Sequence, residues 1–101
     1  MFGLDSEIIE LIQEVFSKFE QIEKVVLYGS RAKGNFRNGS DIDITLFGKS
    51  LNLQTIYDIE QELEELYLPY KFDISIYEHI ENPDLRAHID RVGKVFYEKN
   101  L

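Results

Sequence analysis

Two short stretches of this chain combine the residue types that hold a polyphosphate on divalent metal ions. The pair Gly29-Ser30 follows an apolar segment, and after ten intervening residues come Asp41 and Asp43, one residue apart. A glycine lets the backbone turn sharply and approach an anion closely. Paired carboxylates supply the oxygen ligands that Mg²⁺ prefers. This spacing predicts a site for a nucleoside triphosphate on divalent metal.

Positive charge is concentrated between the two motifs. Residues 28–40 contain no acid and three bases, although the net charge of the chain is −8. These bases are Arg31, Lys33 and Arg37. Removing these three from the 11 bases of the chain leaves 8 against 19 acids. Positive charge therefore lies where a polyphosphate would need it.

The two aspartates lie in an alternating segment, residues 41–46, which is typical of a β-strand. Side chains on a strand point to opposite faces in turn, so Asp41 and Asp43 share one face. Their α-carbons are expected about 6.6 Å apart, which is twice the strand rise. The other face is apolar, with Ile42, Ile44 and Leu46. The spacing suits carboxylates that bridge two metal ions about 3.5–4 Å apart.

A third acid occurs in a second alternating segment, residues 71–76. Here Asp73 and Ser75 alternate with apolar residues. If this strand lies beside the first, Asp73 joins Asp41 and Asp43. Three acids on one face repel one another, and bound cations remove that cost. Their clustering therefore predicts a metal site.

With Gly29-Ser30, Asp41, Asp43 and Asp73, the chain resembles the polymerase-β-type nucleotidyltransferase superfamily, over about residues 25–77. Its small size resembles the minimal nucleotidyltransferase (MNT) branch. The resemblance implies a metal-dependent nucleotidyltransferase of the EC 2.7.7 type, which moves AMP from ATP to a hydroxyl group. It also implies that Asp41 and Asp43 hold two Mg²⁺ ions, with Mn²⁺ as a substitute, and that Asp73 helps to hold the catalytic ion.

The same resemblance implies how the reaction would proceed. Gly29 and Ser30 would bind the β- and γ-phosphates, aided by Arg31 or Lys33. The acceptor hydroxyl would attack the α-phosphate in line, with Asp73 as the candidate general base, and pyrophosphate would leave.

The acceptor is not encoded in these motifs. Larger members of the superfamily use a second domain to grip tRNA, primer or antibiotic, whereas residues 1–101 are expected to form a single MNT domain. The MNT branch is typically encoded beside a small helical HEPN protein in a toxin–antitoxin pair. The resemblance therefore implies an antitoxin that forms a hetero-oligomer with this toxin and adenylylates one of its tyrosines. Two alternatives stay open: a non-catalytic module that neutralises its partner by contact, and transfer to a small molecule such as an antibiotic.

Other phosphate and metal motifs do not fit. Gly29 and Gly34 have the glycine spacing of a P-loop, but Asn35-Phe36 stands where Lys-Ser/Thr is required. His79 and His88 lack the spacing of zinc ligands and are interpreted as surface or packing residues.

Composition narrows the class of protein further. The absence of cysteine excludes disulfides and thiol chemistry and suits a reducing, cytoplasmic location. No stretch approaches ~20 apolar residues, so no membrane segment is expected. The acidic pI of about 4.7 argues against a large nucleic-acid footprint, which needs basic surface.

The surrounding sequence predicts the elements that would position these residues. Helices are expected over 6–19, 31–35, 52–67 and 83–93, and strands over 24–28, 41–46 and 70–77, with a strand or tail over 94–97. Asn38-Gly39 predicts a turn before the second strand. The alternation predicts an α/β (α+β) domain with a small mixed sheet of three to four strands and helices on one face.

Overall fold

The structure is a computed structural model that describes residues 1–37 and 39–99, and its helices and strands alternate along the chain. In chain order the elements are α1 (Ser6–Ser17), β1 (Ile22–Tyr28), α2 (Ser30–Lys33), β2 (Ile42–Gly48), α3 (Leu53–Glu64), β3 (Phe72–Ile76), a 3₁₀ turn (Tyr77–His79), α4 (Pro83–Val92) and β4 (Lys94–Glu98). The predicted mixed fold is confirmed, with 94–98 as its fourth strand. Asn38 of the predicted turn lies outside the described residues, whereas Gly39 has a φ of 79°.

The four strands form one mixed sheet in the order β3-β2-β1-β4. β1 is antiparallel to both β2 and β4, while β2 and β3 are parallel. A parallel pair needs a crossover connection, which α3 supplies here. After this crossover β3 lies beside β2, at one end of the sheet.

One face of the sheet is covered by α1 and α3. Val25 and Leu27 of β1 contribute to this core, and both are fully buried. Phe16 of α1 and Ile59 of α3 belong to the same buried cluster. Because the apolar side chains of β2 also point this way, its aspartate, Asp43, is directed to the opposite face.

The opposite face is covered in part by α4, so the prediction of helices on one face only is wrong. Val26 and Tyr28 of β1 form a second buried cluster with Ile89 of α4 and with Ile80, which follows the 3₁₀ turn. The physical reason lies in β1, where four consecutive apolar residues, 25–28, supply buried side chains to both faces.

α3 begins where it was predicted to begin but ends earlier. Asn52 caps its first turn by accepting a hydrogen bond from the Thr55 amide at 3.0 Å, and the Thr55 hydroxyl completes a capping box. The helix ends at Glu64 rather than at Tyr67, which has a φ of 53° and so leaves the helical conformation.

Within the described ranges, no helix has the length and apolar character needed to cross a bilayer.

Candidate functional site

Two of the three predicted acids are direct neighbours across the sheet. In the parallel pairing of β2 with β3, Asp43 is the partner of Asp73, and Thr45 is the partner of Ser75. Adjacent strands lie about 4.7–4.9 Å apart and paired residues point to the same face. The register therefore places the Asp43 and Asp73 side chains side by side on the face that α4 covers only in part.

Asp41 occupies the exposed position that immediately precedes β2. The next residue, Ile42, donates its amide to the carbonyl of Lys71 at 2.8 Å, so pairing with the third strand begins directly after Asp41. Asp41 lies close enough to Asp43 for its negative charge to affect the Asp43 carboxyl. All three aspartates thus belong to one end of the β2–β3 pair.

The electrostatics of Asp43 show that this negative charge is not balanced. Burial raises the pKa of the half-buried Asp43 above its ordinary value, and the charges of Asp73 and Asp41 raise it further, while His88 opposes the rise. In the part of the chain that the structure describes, the only ion pair joins Lys18 to Glu62, away from these acids. The cluster therefore favours a cationic ligand.

The Gly-Ser turn, formed by Gly29 and Ser30, lies against the Asp43 carboxylate. Gly29 has φ 76° and ψ −156°, a backbone region that is essentially restricted to glycine. A Cβ atom at this position would overlap Asp43 Oδ2. The turn leads directly into α2, so the amides of its first residues lie next to the acidic cluster. Glycine is required here both by its conformation and by this close approach.

The two bases predicted to bind phosphate occupy different environments. Lys33 is exposed at the end of α2, where its ammonium group is free to reach a bound anion. Arg31 is only 2% exposed, and its guanidinium donates to the carbonyls of Phe2 and Ser40. This structure therefore does not support the predicted phosphate contact of Arg31, because its guanidinium is buried and donates to backbone carbonyls, whereas Lys33 is exposed.

Two further residues border the acids: Tyr28, which was not predicted, and His88, which was interpreted as a surface or packing residue. Tyr28 pairs with Asp43 in the β1–β2 register, and burial raises its pKa, with the Asp73 and Asp43 charges adding to the rise and Ser75 opposing it. His88 of α4 packs edge-on against the Tyr28 ring at 6.3 Å, which agrees with a packing role. Tyr28 is the last of four consecutive apolar residues in β1, a pattern that indicates burial on both faces of the sheet. This pattern was the sequence signal that could have predicted its buried position.

The donor set suits a hard divalent ion, although its side chains are not gathered as they would be around one. Among residues 1–37 and 39–99, no three His, Cys, Asp or Glu side chains converge at ligand distance. Carboxylate oxygens are nevertheless the ligands that Mg²⁺ prefers. The adjacency of Asp43 and Asp73 and their unbalanced charge fit such an ion.

Comparison with solved structures identifies proteins with the same fold. The chain superposes with a TM-score of 0.74 on a toxin–antitoxin crystal structure with AMP-PNP, at 18% identity, covering 91% of this chain and 74% of that one. It also matches the MntA-HepT toxin–antitoxin (TM-score 0.61, 18% identity, 92% and 68% covered). A third match is tri-AMPylated Shewanella oneidensis HEPN toxin in complex with MNT antitoxin (TM-score 0.60, 18% identity, 92% and 68% covered).

A comparison with curated proteins found no match. The family profile described as "Polymerase beta, Nucleotidyltransferase" matches residues 10–101, which is nearly the whole chain. The matched region contains the Gly-Ser turn and all three aspartates, and the observed mixed sheet is the fold of these enzymes. The chain therefore belongs to the polymerase beta nucleotidyltransferase family.

Proposed function

We propose that this nucleotidyltransferase moves AMP from ATP to a tyrosine hydroxyl of a HEPN-type toxin, with which it forms a hetero-oligomer, and so acts as an antitoxin. The observation that carries the proposal is the pairing of Asp43 with Asp73 against the Gly29 backbone. This arrangement combines unbalanced negative charge with a turn that an anion can approach. Support for the substrate and partner comes from the similar complexes that contain AMP-PNP or an AMPylated HEPN toxin.

The acidic cluster is assigned to metal and the turn to phosphate. Asp41, Asp43 and Asp73 would hold two Mg²⁺ ions, which neutralise these carboxylates, polarise the phosphate and lower the pKa of the acceptor hydroxyl when bound. The amides of the Gly-Ser turn and the ammonium of Lys33 would bind the β- and γ-phosphates. Held in this way, the triphosphate would present its α-phosphorus to the acceptor.

Group transfer then needs an acceptor for one proton. The tyrosine oxygen forms a bond to the α-phosphorus, and the bond between that phosphorus and the bridging oxygen breaks, so pyrophosphate leaves. The Asp73 carboxylate is the proposed base that receives the hydroxyl proton. Asp73 is exposed at the sheet edge, where a side chain from another protein can reach it.

Labelled ATP provides the test. The purified chain is incubated with Mg²⁺, the helical protein encoded beside it, and ATP that carries the label on either the α- or the γ-phosphate. Transfer of the α-label alone, located on a tyrosine by mass spectrometry and lost in Asp43→Asn, is the expected result. Label on neither position, in a mixture where the two proteins bind, would contradict the proposed transfer.

The binding-only alternative is favoured by one feature of the surface. Leu53 and Tyr57 of α3 are 79% and 56% exposed, and large apolar side chains in contact with water often belong to interfaces. A tight complex that inhibits the toxin equally well with wild-type chain and with Asp43→Asn, without transfer of label, would establish this alternative.

A further inference from the structure

Arg31 is buried between three separate parts of the chain. Its Nε and Nη2 atoms donate to the same carbonyl, that of Ser40, at 3.1 and 3.0 Å, and Nη1 donates to the carbonyl of Phe2 at 2.9 Å. The rings of Phe36 and Tyr70 contact the guanidinium, with centroids 5.2 and 4.9 Å from Cζ. The side chain therefore fixes the positions of residues distant in sequence.

The Ser40 carbonyl belongs to the peptide that leads directly into Asp41. A peptide unit is planar, so a carbonyl held by two donors fixes the orientation of the whole Ser40–Asp41 unit. On the other side of Asp41, the Ile42 amide is held by the Lys71 carbonyl at 2.8 Å. Asp41 is exposed and precedes β2, so these two restraints replace the sheet pairing that positions Asp43.

Arg31 also belongs to the same helical turn as Gly29 and Ser30. The Lys33 amide donates to the Gly29 carbonyl at 3.1 Å, and the Gly34 amide donates to the Ser30 carbonyl at 2.9 Å. The backbone around Arg31 is thus continuous with the Gly-Ser turn, while its guanidinium holds the segment before Asp41. One side chain connects the turn assigned to phosphate with the carboxylate assigned to metal.

We propose that Arg31 is a positioning residue that fixes the Asp41 backbone relative to the Gly-Ser turn. Its planar group, with several donors, is needed for this, because it binds one carbonyl twice and a second carbonyl at once while stacking on two rings. A lysine would retain the charge but not this geometry. The inference rests on the proposed function for its kinetic effect, but its structural effect is measurable in the free chain.

The variant Arg31→Lys tests the kinetic effect. We expect kcat for AMP transfer to fall about 10- to 100-fold, because small errors in position are costly to group transfer. The half-saturating Mg²⁺ concentration rises, while KM for ATP changes less. Combining Arg31→Lys with Asp41→Asn adds little to the effect of Asp41→Asn alone, since both act at the same carboxylate. Additive losses with an unchanged Mg²⁺ requirement would overturn the proposal.

Arg86→Lys is the matched control. Arg86 also lies over a ring, 4.5 Å from the Tyr77 centroid, and donates to the Ile80 carbonyl at 3.4 Å, but it lies on α4. Its replacement by lysine is expected to affect stability without changing the Mg²⁺ requirement. An equal change of that requirement in both variants would identify Arg31 as a merely structural residue.

Backbone order at Asp41, measured by ¹⁵N relaxation on the metal-free chain, is independent of activity. It falls in Arg31→Lys and is unchanged in Arg86→Lys if the inference is correct, even where the wild-type chain transfers no AMP and the proposed function fails. Unchanged order in both variants overturns the inference alone. If Arg31→Lys does not fold, Tyr70→Leu removes one stacked ring but leaves the donors in place. It is then expected to reduce Asp41 order in the same direction by a smaller amount, and no reduction overturns the inference.

Discussion

Asp43 and Asp73 are paired residues on the parallel strands β2 and β3, and their side chains lie on the same face. The backbone register of the sheet, rather than a flexible loop, sets this proximity of two like charges. Nothing basic forms an ion pair with either acid in the described part of the chain. The repulsion is therefore built into the fold, and several of its consequences are measurable.

Replacement of Asp43 by asparagine is expected to abolish transfer while the fold survives. The change keeps the side-chain volume but removes the charge that a cation needs, so the rate should fall by about 10³-fold or more. The measurement is AMP transfer alongside the thermal unfolding curve. Asp5→Asn is the control, because Asp5 is an exposed acid whose side chain makes no capping hydrogen bond. Full activity in Asp43→Asn would refute the assignment.

The same substitution should stabilise the chain in the absence of metal. Burial, Asp73 and Asp41 raise the pKa of Asp43 above its ordinary value of 3.8, so the folded state binds its proton more tightly than the unfolded state. The free energy of unfolding therefore falls as the pH rises from 3.8 through the raised pKa of Asp43, and it stays lower at every pH above that pKa. In EDTA near neutral pH, Asp43→Asn should melt at a higher temperature than the wild-type chain.

This difference should shrink as the pH is lowered and vanish only below 3.8, where Asp43 becomes protonated in the unfolded state as well as in the folded state. Equal melting temperatures for wild type and Asp43→Asn near neutral pH would contradict the unbalanced charge. Addition of Mg²⁺ should raise the melting temperature of the wild-type chain only, and so reverse the order of the two proteins.

Gly29→Ala is expected to impair both folding and nucleotide binding. Its positive φ costs a non-glycine residue about 1–3 kcal/mol, and the new Cβ overlaps the Asp43 carboxylate. Gly34→Ala is the matched control, because Gly34 also has a positive φ, 87°, but a Cβ atom added there would meet nothing within 4 Å. Both variants should lose stability in urea unfolding, but only Gly29→Ala should lose Mg²⁺-dependent ATP binding as well.

Lys33→Met should weaken ATP binding without affecting the fold. Loss of one charged hydrogen bond to phosphate corresponds to about a tenfold increase in Kd, which isothermal titration calorimetry can measure. The difference from wild type should decrease at high salt, because the contact is exposed. Lys49→Met removes another exposed charge, directly after β2, and should leave Kd unchanged. A similar Kd for all three proteins would exclude Lys33 from the phosphate site.

The sequence was most informative where alternation and capping act locally. The polar and apolar alternation around Asp43 and Asp73 predicted two strands and the face to which each acid points, and the sheet follows both. Asn52 correctly marked the start of α3, because capping depends on neighbouring residues. The end of α3 was predicted three residues too late, since Tyr67 adopts a positive φ that its residue type does not favour.

The sequence did not predict the environments of Arg31, α4 and His88, because these depend on tertiary contacts. The charge of Arg31 suggested a phosphate ligand, but its partners are carbonyls of Phe2 and Ser40, which no side-chain pattern reveals. The prediction of helices on one face only was wrong because it did not treat the apolar run of β1 as buried on both faces. Val26 and Tyr28 of this run pack on the side of α4. His88 approaches Tyr28 only because α4 packs on that face.

The position of β3 at the end of the sheet makes the acidic cluster separable from the rest of the molecule. Among the described residues, β3 is hydrogen-bonded to a neighbouring strand on one side only, so brief fraying of this edge would carry Asp73 away from Asp43 while the other three strands stay together. We therefore expect the pair to separate and re-form more often than the whole molecule unfolds. Any ligand that bridges both carboxylates would lock the edge in place, and amide exchange along residues 72–76 would slow on binding.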